Sequence, residues 1–188
     1  ANATENLATG QWTPDGSRLV YRAGGGDEWS IFHSAPHPDS TPVALVDSDF
    51  EEDSPAISPD GRWLAYVSNE SGQNEVYVRA YPGPGGRSAV SLEGGTSPVW
   101  ASERELVYES SGGSYIAATL REGPTFGIES RSEIAPTANF YTSLDRPGYD
   151  ASRVDGRLLA IRGISLAASN RDVVVLNWFE ELRARAGS

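Results

Sequence analysis

Apolar and polar positions alternate most clearly over residues 58–78, "SPDGRWLAYVSNESGQNEVYV". After a Pro-Asp-Gly triplet, Trp63, Ala65 and Val67 alternate with Leu64, Tyr66 and Ser68, the two-residue period of a β-strand. Both alternating sets carry apolar side chains, as a strand needs when neighbours cover both of its faces. "NESGQ" then interrupts the run, "NEVYVRAY" resumes it, and "PGPGG" breaks it again. "RSAVSL" supplies an outer strand, and "EGGTSPVW" crosses over to begin the next inner one. The pattern predicts antiparallel strands joined by tight turns.

The unit recurs along the chain. "TPDGSRLVY" at 13–21 and "SPDGRWLAY" at 58–66 set Asp15 and Asp60 45 positions apart. "SERELVY" at 102–108 puts Leu106 and Tyr108 42 positions after Leu64 and Tyr66. "VDGRLLAI" at 154–161 puts Asp155 95 positions after Asp60, about two units on. A period in the forties is that of a four-stranded propeller blade. The expected fold is therefore all-β, a single propeller domain of about four four-stranded blades over residues 7–53, 54–96, 97–148 and 149–177. A β-sandwich of repeated hairpins is the competing architecture, but its strands do not normally repeat one turn motif at blade spacing.

Within each unit the turn residues have structural work to do. Pro14 and Pro59 preset φ, Asp15, Asp60 and Asp155 can bond their own backbone, and Gly16, Gly61 and Gly156 are free to take positive φ. The third unit lacks the triplet, and its tail "REGPTFGIESRSEIAPTANFYTSLDRPG" departs from the repeat. Alternation also stops after Asn177, an N-cap residue type. "WFEELRARA" there predicts a short helix over 178–186, docked through Trp178, Phe179 and Leu182.

The stretch 58–78, followed by "GGTSPVW", resembles the WD40-like propeller repeats of the TolB type, which also occur in the propellers of prolyl-oligopeptidase-like hydrolases. The ending "DVVVLNWFEELRARA" is similar to the C-terminus of the propeller region of bacterial eukaryotic-like serine/threonine protein kinases. These resemblances imply a bacterial sensor or protein-interaction module, lying outside the cytoplasm at the periplasm or cell surface. The alternative they leave open is the substrate-gating propeller of a serine hydrolase. A Gly-rich loop with its strand lysine, an H-R-D and a D-F-G are all missing, so kinase chemistry is not expected of this chain.

Composition narrows the partners. Twenty-six acidic against fifteen basic residues give a net charge of −11, which repels phosphate backbones; with no basic stripe in view, nucleic-acid binding is not expected. No apolar run approaches the roughly 18 residues needed to span a bilayer. The absence of Cys removes disulfides, thiol nucleophiles and Cys-based metal sites. The chain opens on Ala and contains no Met, so a processed or excised piece is expected. Four units leave three solutions, a compact four-blade ring, pairing with another chain, or a piece of a longer propeller; an open arc would leave blade faces unpaired, so an incomplete propeller predicts self-association. The partner itself, protein or small ligand, is not specified by the residues.

Candidate chemistry is sparse. There is no G-x-S-x-G; "GISLA" at 163–167 ends in Ala. His33 and His37 stand four apart in "FHSAPHPD", where two prolines argue against a shared helical face and favour a loop. In "DSDFEED", Asp47, Asp49 and Glu51 are candidate oxygen ligands for a hard cation, although a solvated connection between blades accounts for them more simply. Trp12, Trp29, Trp63, Trp100 and Trp178 fall mostly at strand positions, where packing between blades is the default use and a ligand platform the alternative. No catalytic residue, cofactor or resident metal is expected.

Overall fold

The computed structural model describes residues 6–25, 28–121, 123, 125–140, 147–152, 157–166 and 169–175. Their strands form four antiparallel sheets, each in simple sequential order. The first holds β1 (Asn6–Trp12), β2 (Leu19–Gly25), β3 (Glu28–Ser34) and β4 (Val43–Val46). The second holds β5 (Glu52–Ile57), β6 (Trp63–Ser68), β7 (Glu75–Ala80) and β8 (Arg87–Ala89). The third holds β9 (Gly95–Ser102), β10 (Glu105–Ser110), β11 (Ser114–Leu120) and β12 (Ile128–Pro136). In the fourth, β13 (Tyr149–Ala151), β14 (Leu158–Leu166) and β15 (Ser169–Val175) are described. A single 3-10 turn, Thr137–Asn139, is the helical segment among the described residues. The helix expected at 178–186, its Asn177 cap, Trp178 and the Asp155–Gly156 turn lie outside them.

The core comprises three apolar clusters, each between consecutive sheets. Val20, Ile31 and Val46 of the first sheet meet Ile57, Leu64 and Tyr66 of the second. Trp63, Ala65 and Val67 leave the other side of β6 and meet Trp100, Leu106 and Tyr108 of the third sheet. Val107, Tyr115 and Ala117 then pack on Tyr149, Leu158 and Ala160 of the fourth. All six residues of β6 are buried, so the double alternation in the sequence corresponds to a strand covered on both faces. The sheets thus stack as successive blades of a β-propeller. No comparable packing joins the fourth sheet to the first among the described residues.

In the first three blades the inner strand ends in a side-chain-braced turn. The Thr13 hydroxyl donates to Asp15 Oδ1 at 2.6 Å, and the Ser17 amide donates to the same oxygen at 3.0 Å. One repeat later the Ser58 hydroxyl donates to Asp60 Oδ1 at 2.6 Å and the Arg62 amide at 3.1 Å. Gly16 and Gly61 take φ of +69° and +70°, the left-handed step that lets the chain reverse. The hydroxyl residue before proline therefore belongs to the motif. In the third unit, without Pro-Asp-Gly, the Ser102 hydroxyl accepts from the Arg104 amide at 3.2 Å.

The inner strands share a second device. Ser54 and Ser97, each before a proline, take φ of 50° and 55°, and the pairing register slips beside both. β1 slips between Leu7 and Gly10. A proline fits here because an inner strand leaves one edge without a partner. These bulges bring Thr9, Gly10, Ser54, Pro55, Pro98 and Pro147 around an axial cleft of about 380 Å³.

Blade-to-blade contact also uses polar clamps. The Trp100 indole Nε1 donates to the Ala56 carbonyl at 3.0 Å across the second and third sheets. Buried Glu75 accepts from the Gly94 amide at 2.8 Å and from the Ser91 hydroxyl, fixing the crossover into β9. Trp100→Phe keeps the packing but removes the indole hydrogen bond to the Ala56 carbonyl. A loss of about 0.5–1.5 kcal/mol in urea denaturation is expected, with the far-ultraviolet β spectrum unchanged.

Candidate functional site

The described connections fall on two opposite faces. Pro-Asp-Gly turns occupy one; the other carries the crossovers into the second and third blades, together with the turn that joins the second and third strands of the second blade. On the turn face, Pro14, Asp15, Asp60 and Gly61 line a shallow cleft of about 350 Å³ with Arg18, Tyr81 and Pro82. Asp15 is held down at about 2 by hydrogen bonds from Thr13 and Ser17, and Asp60 is lowered through Ser58 and Arg62 against the opposing effect of burial. Their oxygens are committed to the turns.

The histidines do not form a loop pair. His33 is buried on β3, with its Nδ1 sharing a hydrogen bond of 2.8 Å with the hydroxyl of Tyr81, which follows β7 in the second blade. Burial and then the nearby Arg18 charge lower its pKa, which keeps the ring neutral at pH 7. His37 sits exposed in the β3–β4 connection, where its Nδ1 accepts from the Asp39 amide at 3.2 Å. Neither ring is hydrogen-bonded to a serine hydroxyl among the described residues.

Asp47, Asp49 and Glu51 are not gathered around a common point. Asp47 accepts from the Ser30 hydroxyl at 3.0 Å, while Glu51 accepts from Arg22 at 2.8 Å. Among the described residues no group of three His, Asp or Glu side chains is placed to hold a metal ion. Of the tryptophans, Trp63 and Trp100 are core residues, whereas Trp12 is half exposed and Trp29 lies beneath the Arg22 guanidinium, 4.0 Å from its ring centre.

The crossover face holds a polar cleft built around an ion-pair cluster. It is lined by Arg22, Glu51, Asp53, Ser54, Val67, Asn74 and Thr96 and measures about 190 Å³. β2 delivers Arg22, the crossover into β5 delivers Glu51, β5 itself delivers Asp53, and β6 and β9 supply Val67 and Thr96. Arg22 is buried and bonds Glu51 through Nη2 at 2.8 Å, with Asp53 3.4 Å from Nη1. Two carboxylates and one aromatic face thus fix a guanidinium that burial alone would destabilise.

Arg22, Val67 and Glu109 each follow the tyrosine of the second strand, at Tyr21, Tyr66 and Tyr108. The repeat thus places an arginine, a valine and a glutamate at one position of three blades. Glu109 is buried, no hydrogen bond reaches it among the described residues, and burial pushes its carboxyl up to about 7. It faces the third–fourth blade junction with Tyr115 and Tyr149, whose hydroxyls it pushes further up. Sequence reasoning passed over Arg22, Asp53, Asn74, Thr96 and Glu109. The available signal was a charge at a repeat position that Val67 shows to be interior.

Comparison with solved structures supports the architecture. TolB from Acinetobacter baumannii superposes with a TM-score of 0.66 at 15% identity, over 92% of this chain and 41% of that one. A puromycin-hydrolysing peptidase of Mycobacterium tuberculosis gives 0.67 at 23% identity, over 90% of this chain and 29% of that one. Prolyl endopeptidase gives 0.59 at 15% identity, over 93% and 28%. The chain thus spans less than half the length of each of these structures and shares with them a TolB-like propeller fold. No family model and no curated protein sequence matches it.

Glu109 makes stability depend on pH. Its folded pKa lies above the ordinary value, so the folded state binds the extra proton and stability falls as pH rises from about 4.5 to about 7. Glu109→Gln is expected to flatten that slope in thermal melts and to stabilise the protein at pH 8 by about 1–3 kcal/mol. A steeper slope in the variant would contradict the assignment.

Proposed function

We propose that this chain is a non-catalytic propeller module that binds a partner or ligand, forming the sensor-like part of a larger bacterial protein such as a receptor serine/threonine kinase. The observation that carries the reading is the crossover-face cleft. Its charged groups are locked to one another, and both histidines of the sequence lie elsewhere. A hydrolase needs a base beside its nucleophile; a recognition surface needs fixed donors and acceptors, and this cleft has them. The terminal "DVVVLNWFEELRARA" supports the kinase context and, with it, a position outside the cytoplasm.

A second reading has its own support. The likeness to two peptidase structures covers 90% and 93% of this chain, so a substrate-gating propeller of a serine hydrolase fits the same fold. Sequencing the reading frame on both sides separates the two. A kinase domain and a membrane-spanning segment upstream are expected; a downstream α/β-hydrolase domain with its serine elbow overturns the kinase reading. The isolated chain is expected to leave p-nitrophenyl esters and aminoacyl arylamides uncleaved, and turnover above background would overturn the non-catalytic assignment.

Self-association belongs to the same proposal, because an arc of blades has two ends that further blades or a second copy would cover. A sedimentation coefficient that rises with concentration is expected of the isolated chain, and a single monomeric species throughout would remove this element.

A further inference from the structure

The outer strands of the first three blades differ in length. β4 has four residues and β8 three, whereas β12 runs for nine. A short edge strand offers another chain little to pair with, and a long one offers a template. β12 ends its sheet, and no strand pairs with its outer edge among the described residues. Glu129, Ser130, Arg131, Ser132 and Glu133 are all exposed, so neither face of that run is covered. Its register against β11 slips between Ile128 and Ser130 and again between Glu133 and Ala135, which leaves Ser130–Glu133 as the regular stretch.

The charges on this stretch select the occupant. Each chain carries a net charge of −11, so undirected contact between copies is opposed, and a second copy must bring a cation to a carboxylate. Arg131 and Glu133 stand opposite Ala118 and Ile116, both of which face the second blade, so they share one side of the sheet. Arg131 donates through Nε to the Val90 carbonyl at 2.8 Å, and Glu133 accepts from the Ser114 hydroxyl at 2.8 Å. Neither has an oppositely charged partner among the described residues.

In an antiparallel pair, residues opposite each other point their backbone groups the same way, both across the gap or both away from it. For two identical edges the two-fold axis therefore passes through a residue. An axis at Ser132 sets each Arg131 against Glu133 of the second copy, giving two ion pairs within the regular stretch. An axis at Arg131 or at Glu133 sets like charges against each other. An axis at Ser130 calls on Glu129, which sits in the register slip and is held by Arg104 at 3.2 Å.

We propose that the outer edge of β12 pairs antiparallel with β12 of a second copy about a two-fold axis at Ser132. This contact is separate from the ends of the blade arc and from the partner-binding reading. The chain has no cysteine, so single Ser132→Cys and Ser130→Cys variants each report on their own counterpart. Across the axis, position 132 meets itself at about 4.5–5.5 Å between Cα atoms, within disulfide reach, whereas position 130 lies more than about 12 Å from itself. Under mild oxidation, Ser132→Cys is expected to form the disulfide dimer at least about tenfold faster than Ser130→Cys. Adding Arg131→Glu should slow that reaction about tenfold, and adding Glu133→Arg as well should restore it. Sedimentation of the cysteine-free charge variants gives a second readout, with association weakened in Arg131→Glu and recovered in the swap. No dimer from either cysteine variant, equal or faster reaction at 130, or charge variants that change nothing would each overturn the proposal. Association through the arc ends alone would raise the sedimentation coefficient without cross-linking at 132, so the two failures are distinguishable.

Discussion

The fold depends on burying both faces of the second strand of the two middle blades against different neighbours. In β6, Leu64 and Tyr66 serve the first blade while Trp63, Ala65 and Val67 serve the third. A strand of six fully covered residues cannot be stable in an isolated hairpin, because half of its apolar surface would face water. Stability is therefore a property of adjacency, and each sheet depends on the next. The polar clamps follow the same logic. The Trp100 indole and the Glu75 carboxylate each tie a blade to the crossover or inner strand that starts the following one.

That constraint was legible in the sequence because two apolar sets interleave at period two between Pro-Asp-Gly turns. The turn could be read from Pro14–Gly16 and Pro59–Gly61, since only a few residue types close it. The contributions of Thr13 and Ser58 were harder to see, because a hydroxyl before proline becomes a brace only once the aspartate lies 2.6 Å away. The bulges at Ser54 and Ser97 were invisible for a different reason. A serine in the left-handed region has no composition signal, and the following proline reads equally well as a strand end.

The site was less legible than the fold. His33 looked like a loop residue, but β3 carries it into the first–second blade interface to meet Tyr81. "DSDFEED" looked like one acidic run, but its members diverge, with Glu51 turning to Arg22 and Asp47 to Ser30. Pairings between residues 17 to 48 positions apart are set by how the strands and blades pack, and local pattern carries no trace of them.

Function in a repeat fold resides where the repeat is broken, because positions fixed by packing cannot vary freely. The place after the second-strand tyrosine makes this concrete. Val67 shows that an apolar residue satisfies the packing there, so Arg22 and Glu109 are departures that the fold does not require. Each carries a desolvation cost. Arg22 offsets it with Glu51, Asp53 and the Trp29 ring, whereas Glu109 has no such partner among the described residues and stays protonated up to about neutral pH. Two charged groups at one structural position, one neutralised by carboxylates and the other by a proton, give the crossover face two chemically different junctions. The Arg22 junction opens onto a cleft in which the guanidinium and its two carboxylates hold one another in place without a ligand, the condition under which recognition by those groups loses least entropy on binding.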